Sequence, residues 1–204
     1  MKPECETKGK LLRVAMQLIS ENSYGSVSVD DICRQADVKK GSFYHFFPSK
    51  SNLTVAAMEA DWESKQPGLD RTFSPQVAPL ERLEDFCASA LRCQAEKKAT
   101  FGKICGCPMM TLGAELSTQD EKIRSKTAEI VLRYVRYLES AIRDAASEGL
   151  LEADNPREAA LALFAHFQGT LLQAKIQNDA APLLGLKSQF HRLLRVSSEL
   201  APAS

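Results

Sequence analysis

Residues 28–50 read SVDDICRQADVKKGSFYHFFPSK, and this stretch predicts two short helices joined by a tight turn. It opens as a capping box, in which the Ser28 hydroxyl accepts from the Asp31 amide while the Asp31 carboxylate reaches back to residue 28. A second helix is expected over 39–47. Pro48 bounds it, because a proline disfavours helical backbone in the residue before it.

The remainder of the chain has the periodicity of helices. Apolar residues recur every three to four positions and no segment shows sustained alternation, so we predict an all-α fold. The turn-rich residues 66–75 are expected to end the fourth helix and to separate an N-terminal domain, 1–65, from a C-terminal domain, 76–204. The nine predicted helices cover about 7–22, 28–37, 39–47, 49–65, 79–97, 108–116, 118–149, 156–178 and 182–200.

Two of the later helices carry start signals. The residues TQDE at 118–121 have the form of another capping box. Asn155 is a good N-cap, and Pro156 suits the first helical turn because its missing amide hydrogen would have no partner there.

Composition and motifs exclude several classes of protein. The formal net charge of +0 argues against a protein whose whole surface binds nucleic acid, although it permits a basic surface at one end of the molecule. We expect a cytosolic protein without a membrane partner, because the chain lacks a long apolar run and a signal peptide. The six cysteines are expected to be thiols, and the absence of a CxxC pair argues against a structural zinc site. Since no familiar enzyme motif is present, we expect neither catalysis nor a cofactor.

The helix predicted at 156–178 needs cover on several sides. Its residues 159–165 are all apolar, and a helix without a polar face must be buried against several neighbours. The helix predicted at 182–200 has a similar apolar face, which includes Leu183 and Phe190. We therefore predict a homodimer built on these two helices.

The helix at 39–47 combines basic, hydroxyl and aromatic side chains. Ammonium and hydroxyl groups of this kind hold phosphates, and some can reach base edges. Gly41 would let the backbone approach DNA closely, and Lys50 is expected beside the amides of the fourth helix, which also favour a phosphate. The candidate DNA-binding residues of this segment are Lys39, Lys40, Ser42, Tyr44, His45 and Lys50. On spacing alone, a generic amphipathic helix with a core of phenylalanines is equally open.

These residues also carry a family resemblance. The segments SVDDIC at 28–33 and VKKGSFYHFFPSK at 38–50 strongly resemble the DNA-binding domain of the TetR family of regulators. The likeness covers about residues 7–62. It implies a homodimer that binds double-stranded operator DNA through a helix-turn-helix at about 28–47, represses transcription there, and is released by an effector.

The resemblance also implies roles for single residues. Ser28, Tyr44 and Lys50 match positions at which the family contacts phosphates. Lys39, Ser42 and His45 match positions that read or line the groove. The departures from the residues common in the family are Asp30, Cys33 and Asp37, so an operator sequence does not follow from the likeness.

A second segment resembles one subgroup of that family. Residues 105–116, CGCPMMTLGAEL, match a subgroup with Gly-Cys at the start of the sixth helix, and so do residues 172–175, LQAK. The resemblance implies a response to reactive electrophiles or oxidants through Cys107. A helix N-terminus favours the reactive thiolate, Lys175 could favour it further, and Cys105 could act as a resolving thiol. Inert packing of Cys107 stays open as well.

Other readings also stay open at this stage. His166 could line a pocket or bind a metal, although a core histidine with a hydrogen-bond partner is favoured. A ligand cavity and ordinary core packing are both compatible with the aromatic residues Trp62, Phe86, Phe101, Tyr137 and Phe167. For the whole chain, the rival classes are an enzyme, a helical protein-interaction module, and a small-molecule-binding protein without operator binding.

Overall fold

A computed structural model describes residues 3–197, and these residues form α-helices without any strand. The all-α prediction is confirmed. The helices of the described residues are α1 (Pro3–Glu21), α2 (Val29–Ala36), α3 (Lys40–Phe46), α4 (Lys50–Thr72), α5 (Pro79–Phe101), α6 (Pro108–Leu116), α7 (Glu121–Ser147), α8 (Pro156–Gln177), α9 (Ala181–Leu184) and α10 (Leu186–Leu193). No helix among them is both long and apolar enough to cross a membrane.

The helices pack into two compact units that do not follow the order of the chain. The first unit takes the described part of Met1–Gln66 together with Cys107–Ile130. The second takes Pro67–Gly106 and the described residues from Val131 onward. Thus α6 and the start of α7, as far as Ile130, pack with the N-terminal helices, whereas the predicted domains 1–65 and 76–204 follow one another along the chain.

The first unit is held together by α1, α2 and α3. Leu11 of α1, Ile32 of α2 and Phe43 of α3 are fully buried, and α2 contacts both of the other helices. The predicted capping box is confirmed at the start of α2, since Ser28 and Asp31 cap each other's backbone amides. Asp37 ends α2 in the left-handed conformation, with φ 52°.

The fourth helix ends within the turn-rich segment 66–75, but its predicted end at about residue 65 is wrong, because α4 continues through Pro67 to Thr72. A proline removes one amide hydrogen bond, but its fixed φ is compatible with a helix. Tertiary packing outweighs this loss. Phe73, which follows α4, is buried, and its ring lies 5.8 Å from that of Phe86 and 5.3 Å from that of Tyr137, centroid to centroid.

Aromatic rings fill the second unit. Phe86 of α5 lies 4.6 Å from Phe167 of α8, and Tyr134 of α7 stacks on Phe164 at 5.9 Å, centroid to centroid in both cases. Offset and tilted rings at these distances attract one another beyond the area that they bury. The predicted N-cap of α8 is confirmed, because the Asn155 side chain accepts from two backbone amides.

Two other helix predictions need correction. The cap of α7 is Asp120, whose carboxylate accepts from the amides of Lys122 and Ile123 at 3.0 and 3.1 Å, rather than a box that begins at residue 118. The single helix predicted at 182–200 is two helices, α9 and α10, which meet at Gly185. The second of these ends at Leu193, and the predicted end at Leu200 lies outside the described residues.

Candidate nucleic-acid interface

One face of α3 is buried and the other is open. Phe43 and Phe47 belong to the core, whereas Tyr44 is 52% exposed. The remaining exposed positions of this face are Lys39, Lys40, Gly41 and His45, while Ser42 is half-buried. A Cβ atom added at Gly41 would meet nothing within 4 Å. The structure therefore brings the candidate residues of α3 together on one accessible surface, with its core residues behind them.

Ser28 already has a partner within the protein. Its hydroxyl donates to Asp31 Oδ2 at 2.6 Å and accepts from the Asp31 amide at 3.0 Å. The hydrogen bond from this hydroxyl lowers the pKa of the Asp31 carboxyl. A phosphate contact by the Ser28 hydroxyl would therefore have to replace the bond that it donates to Asp31.

Asp30 of α2 forms an ion pair with Lys40 on the open face of α3. One of its carboxylate oxygens lies 2.7 Å from Lys40 Nζ and the other 3.0 Å. Both side chains are more than half exposed. The hydrogen bond to Asp30 raises the pKa of Lys40. The first lysine of α3 thus faces solvent as one half of an ion pair.

The side chain of Lys50 is bound to the turn that precedes α2. Its Nζ donates to the backbone carbonyls of Tyr24 and Val27, both at 2.8 Å, and lies 3.8 Å from the centre of the Tyr24 ring. Burial lowers the pKa of this lysine, against the opposing charge of Glu115. The ammonium group that was expected to bind a phosphate is therefore already hydrogen-bonded to the turn between α1 and α2.

Glu115 has a role in this region that its local sequence does not indicate. Its carboxylate accepts from the backbone amides of Tyr24 and Gly25, at 3.1 and 2.8 Å. These residues lie about ninety positions away in the chain, and a contact at that separation leaves no local pattern. The turn before α2 is thus held by an anion from α6 and by a cation from α4.

Two family models match the chain. Residues 11–57 match the model described as bacterial regulatory proteins, tetR family. Residues 79–190, which are 112 of the 204 residues, match the model described as tetracyclin repressor-like, C-terminal domain. This chain belongs to the tetR family.

Relatives of this tetR-family chain cover nearly its whole length. The transcriptional regulator AcuR of Cereibacter sphaeroides is 32% identical over 89% of this chain and 82% of AcuR. The transcriptional repressor NemR of Escherichia coli is 28% identical over 88% of this chain and 89% of NemR. A crystal structure of a regulatory protein TetR from Rhodobacter sphaeroides has a TM-score of 0.80 at 32% identity, and the match covers 91% of this chain and 97% of that one.

The matching families and relatives are transcriptional regulators and not enzymes. The tetR-family chain is therefore a DNA-binding transcriptional regulator, and the enzyme alternative is set aside.

The candidate sensing residues are Cys105, Cys107 and Lys175. Cys107 is the N-cap of α6 and is half-buried. Cys105 is buried, with its Sγ 3.8 Å from the carbonyl oxygen of Lys103. Lys175 of α8 packs beside Gly106, since a Cβ atom at Gly106 would lie 3.2 Å from Lys175 Cδ.

The loop before Cys107 is fixed by two amide side chains of the second unit. Gln94, which is buried, accepts from the Gly106 amide at 2.9 Å and donates to the Gly106 carbonyl at 3.2 Å. Asn178 accepts from the Ile104 amide at 2.8 Å. Gly106 has a φ of 67°, which favours glycine. The backbone that leads into α6 is therefore held in one conformation.

The remaining candidates have ordinary structural environments. His166 shares a hydrogen bond of 2.8 Å with Gln189, as favoured for a core histidine. Trp62, Phe86 and Phe167 are buried, whereas Phe101 is partly exposed. Among the described residues, no group of three or more metal-ligating side chains comes together.

Proposed function

We propose that this tetR-family regulator represses transcription as a homodimer, in which α3 of each subunit reads one half-site of a near-palindromic operator. The supporting observation is the open face of α3, which presents basic and aromatic side chains and a bare glycine backbone over a phenylalanine core. Side chains of these types supply phosphate contacts and base-edge contacts in helix-turn-helix proteins.

The proposed dimer surface is an exposed apolar stripe on α8. Leu172 is 55% exposed and Ile176 is 76% exposed. The stripe consists of Leu161, Ala165, Gly169, Leu172 and Ile176, which follow one another at intervals of three or four residues along one side of the helix. Leu193 of α10 is also exposed, at 47%. A second copy of the chain would remove this surface from water. We therefore assign dimerisation to α8 and α10, the helices that cover most of 156–178 and 182–200.

The proposed effector is a thiol-reactive electrophile, and the proposed sensor is Cys107. Cys107 is the N-cap residue of α6, and reactive cysteines occur at helix N-termini in other proteins. The thiolate sulfur would bond to the electrophilic carbon of a conjugated carbonyl compound, and the neighbouring carbon would then take up a proton. The adduct adds volume and polarity at the first turn of α6, which favours a different packing of that helix. Cys105 and Lys175 are proposed as auxiliary residues of the sensor. Cys105 lies two positions before Cys107 in the chain, and Lys175 packs beside Gly106.

The test uses a DNA duplex that the wild-type protein enriches from a random-sequence library. N-ethylmaleimide is added to the complex, and the fraction of bound DNA is measured. We expect release for the wild type and for Cys93→Ser, since Cys93 is a matched half-buried thiol of α5. Cys107→Ser should bind the duplex equally well and keep it after treatment. Release of Cys107→Ser at the wild-type rate would refute the sensor while leaving operator binding in place.

A further inference from the structure

We propose that Lys50 and Glu115 are positioning residues for operator binding, because together they clamp the turn at residues 22–28, just before α2. This inference rests on the proposed operator binding by α3. It gives Lys50 a role that differs from the phosphate contact implied by the family resemblance, and it gives α6 a direct hold on the helix-turn-helix. All of the residues involved belong to the first compact unit.

The anionic half of the clamp is Glu115. Each of its carboxylate oxygens accepts from a different backbone amide, that of Tyr24 at 3.1 Å and that of Gly25 at 2.8 Å. Hydrogen bonds to an ionised acceptor are stronger than those between neutral groups. A Cβ atom at residue 25 would lie only 3.3 Å from Glu115 Oε1. The absence of a side chain at Gly25 thus permits the close approach of the carboxylate.

The cationic half of the clamp is Lys50. Its ammonium group has three donors, of which two are used by the carbonyls of Tyr24 and Val27. The Tyr24 ring lies against the same group at 3.8 Å, a distance that suits a cation–π contact. A phosphate would therefore have to displace contacts that are already made and partly shielded from water.

The clamp holds the backbone that leads into α2. Val27 is buried, and its carbonyl, held by Lys50, immediately precedes the N-cap Ser28. The amide of Val27 also donates to the carbonyl of Tyr24 at 3.3 Å, which closes the turn. Any change in the position of the turn therefore passes to α2, against which α3 packs.

The same clamp connects the helix-turn-helix to the proposed sensor. Cys107 caps the start of α6, and Glu115 lies eight residues further along, about 12 Å at the helical rise per residue. A displacement at its first turn would move the Glu115 carboxylate and, with it, the amides of Tyr24 and Gly25.

The dependence of affinity on salt distinguishes a positioning residue from a phosphate contact. Each phosphate contact that is lost reduces the slope of log affinity against log salt by about 0.9 per subunit. We therefore compare Lys50→Met, which keeps most of the aliphatic stem, and Glu115→Gln with the wild type on its library-enriched duplex. Lys39→Met is the control for an exposed lysine of the DNA face. Glu121→Gln is the control for a carboxylate, since Glu121 pairs only within its own helix in the contacts that the structure describes.

We expect Lys50→Met and Glu115→Gln each to weaken binding on the order of tenfold, the loss typical of one hydrogen bond to a charged group. Their salt slopes should equal that of the wild type, while Lys39→Met should lower the slope. The double variant should lose less than the product of the two single losses, because both side chains act on one turn. A lower slope for Lys50→Met, with Glu115→Gln behaving as wild type, would make Lys50 a phosphate contact and overturn the clamp.

Hydrogen exchange of the full-length protein separates positioning from general stability. In Glu115→Gln, one oxygen still accepts, but the new amide group faces a backbone N–H and leaves it without a partner. Exchange should therefore increase at Tyr24 and Gly25 while the helices α1 and α4 keep their protection. If exchange increased equally throughout the first unit, Glu115 would stabilise the whole unit and not the turn in particular, and the proposal would be overturned. If the wild type enriches no sequence from the library, the proposed function itself fails, and the exchange result still reports on the clamp.

Discussion

Three polar or charged side chains at the proposed DNA-binding surface are bound to other parts of the protein. Lys40 is paired with Asp30, Ser28 with Asp31, and Lys50 with the carbonyls of the turn before α2. A phosphate contact at any of these residues would exchange one hydrogen bond for another, which reduces its net contribution to affinity. Lys39, Tyr44 and His45 are exposed side chains of the same surface, and we expect them to bind DNA at lower cost.

Substituting Asp30→Asn tests whether the ion pair of Lys40 competes with a phosphate contact. The change removes a negative charge from the proposed DNA-binding surface and frees Lys40 to neutralise a phosphate. We expect tighter operator binding and a salt slope that is steeper by about 0.9 per subunit, measured by titration at several salt concentrations. Glu129→Gln, which removes a carboxylate of comparable exposure from an ion pair on α7, should change neither value. Unchanged affinity and slope in Asp30→Asn would place the Asp30–Lys40 pair away from the DNA.

The exposed face of α3 could be predicted from sequence, but the partners of its side chains could not. The pattern of lysine, serine, tyrosine and histidine after the turn indicated the exposed face of α3, because those side chains lie within two helical turns. The contact between Glu115 and the turn at Tyr24 joins segments that are far apart in the chain. Nothing in the local sequence around either residue indicates it, and the same holds for the contact between Gln94 and Gly106.

At the scale of the helices, α6 is the element that connects the proposed sensor to the DNA-binding unit. Cys107 caps its start, Glu115 lies in its last turn, and the helix packs against α1 and α7. Its contact with α7 is very close at Gly113, where an added Cβ atom would lie 2.7 Å from Thr127 Cγ2. The absence of a side chain at Gly113 thus sets the distance between the two helices.

Substituting Gly113→Ala should therefore destabilise the protein, even though alanine favours a helix over glycine by about 1 kcal/mol. The clash requires α6 or Thr127 to move, and overpacking of this kind costs about 1–3 kcal/mol. We expect a net loss of stability in urea unfolding. Adding Thr127→Ser, which removes the clashing methyl group, should restore part of it. A Gly113→Ala protein as stable as the wild type would contradict the close packing of α6 on α7.

Helix ends were predictable where a local signal determined them. Ser28 with Asp31, and Asn155 with Pro156, set the starts of α2 and α8 as predicted, because capping depends on residues within one turn. The end of α4 was not predictable from Pro67 and Gly68, since the burial of Phe73 against Phe86 and Tyr137 decides it. Packing between distant segments outweighs a local turn preference in this case.

At the scale of the whole molecule, the proposed regulator requires two copies of the chain. An operator made of two half-sites calls for two recognition helices with a fixed spacing, and a dimer supplies both. The apolar stripe of α8 is the surface that we assign to this contact. Its most exposed members, Leu172 and Ile176, have no polar group to offset their exposure to water.

Substituting Leu172→Glu places a charge in the proposed interface. Burial of an unpaired carboxylate is costly, so the variant should be a monomer at micromolar concentration and should bind the enriched duplex weakly. Leu132→Glu is the matched control, because Leu132 is a partly exposed leucine of α7 that lies outside the proposed interface. It should remain a dimer and bind DNA as the wild type does. The mass of each protein, free and in complex with DNA, gives the readout.

The mass of the wild-type complex on its enriched duplex, determined together with the sequence of that duplex, tests the central claim most directly. We expect an inverted repeat whose half-sites are about one helical turn apart, or a multiple of this distance, and two chains, or pairs of chains, on each duplex. A single chain on a sequence without a repeat, or no enrichment of any sequence at all, would contradict a dimer that reads its operator through α3.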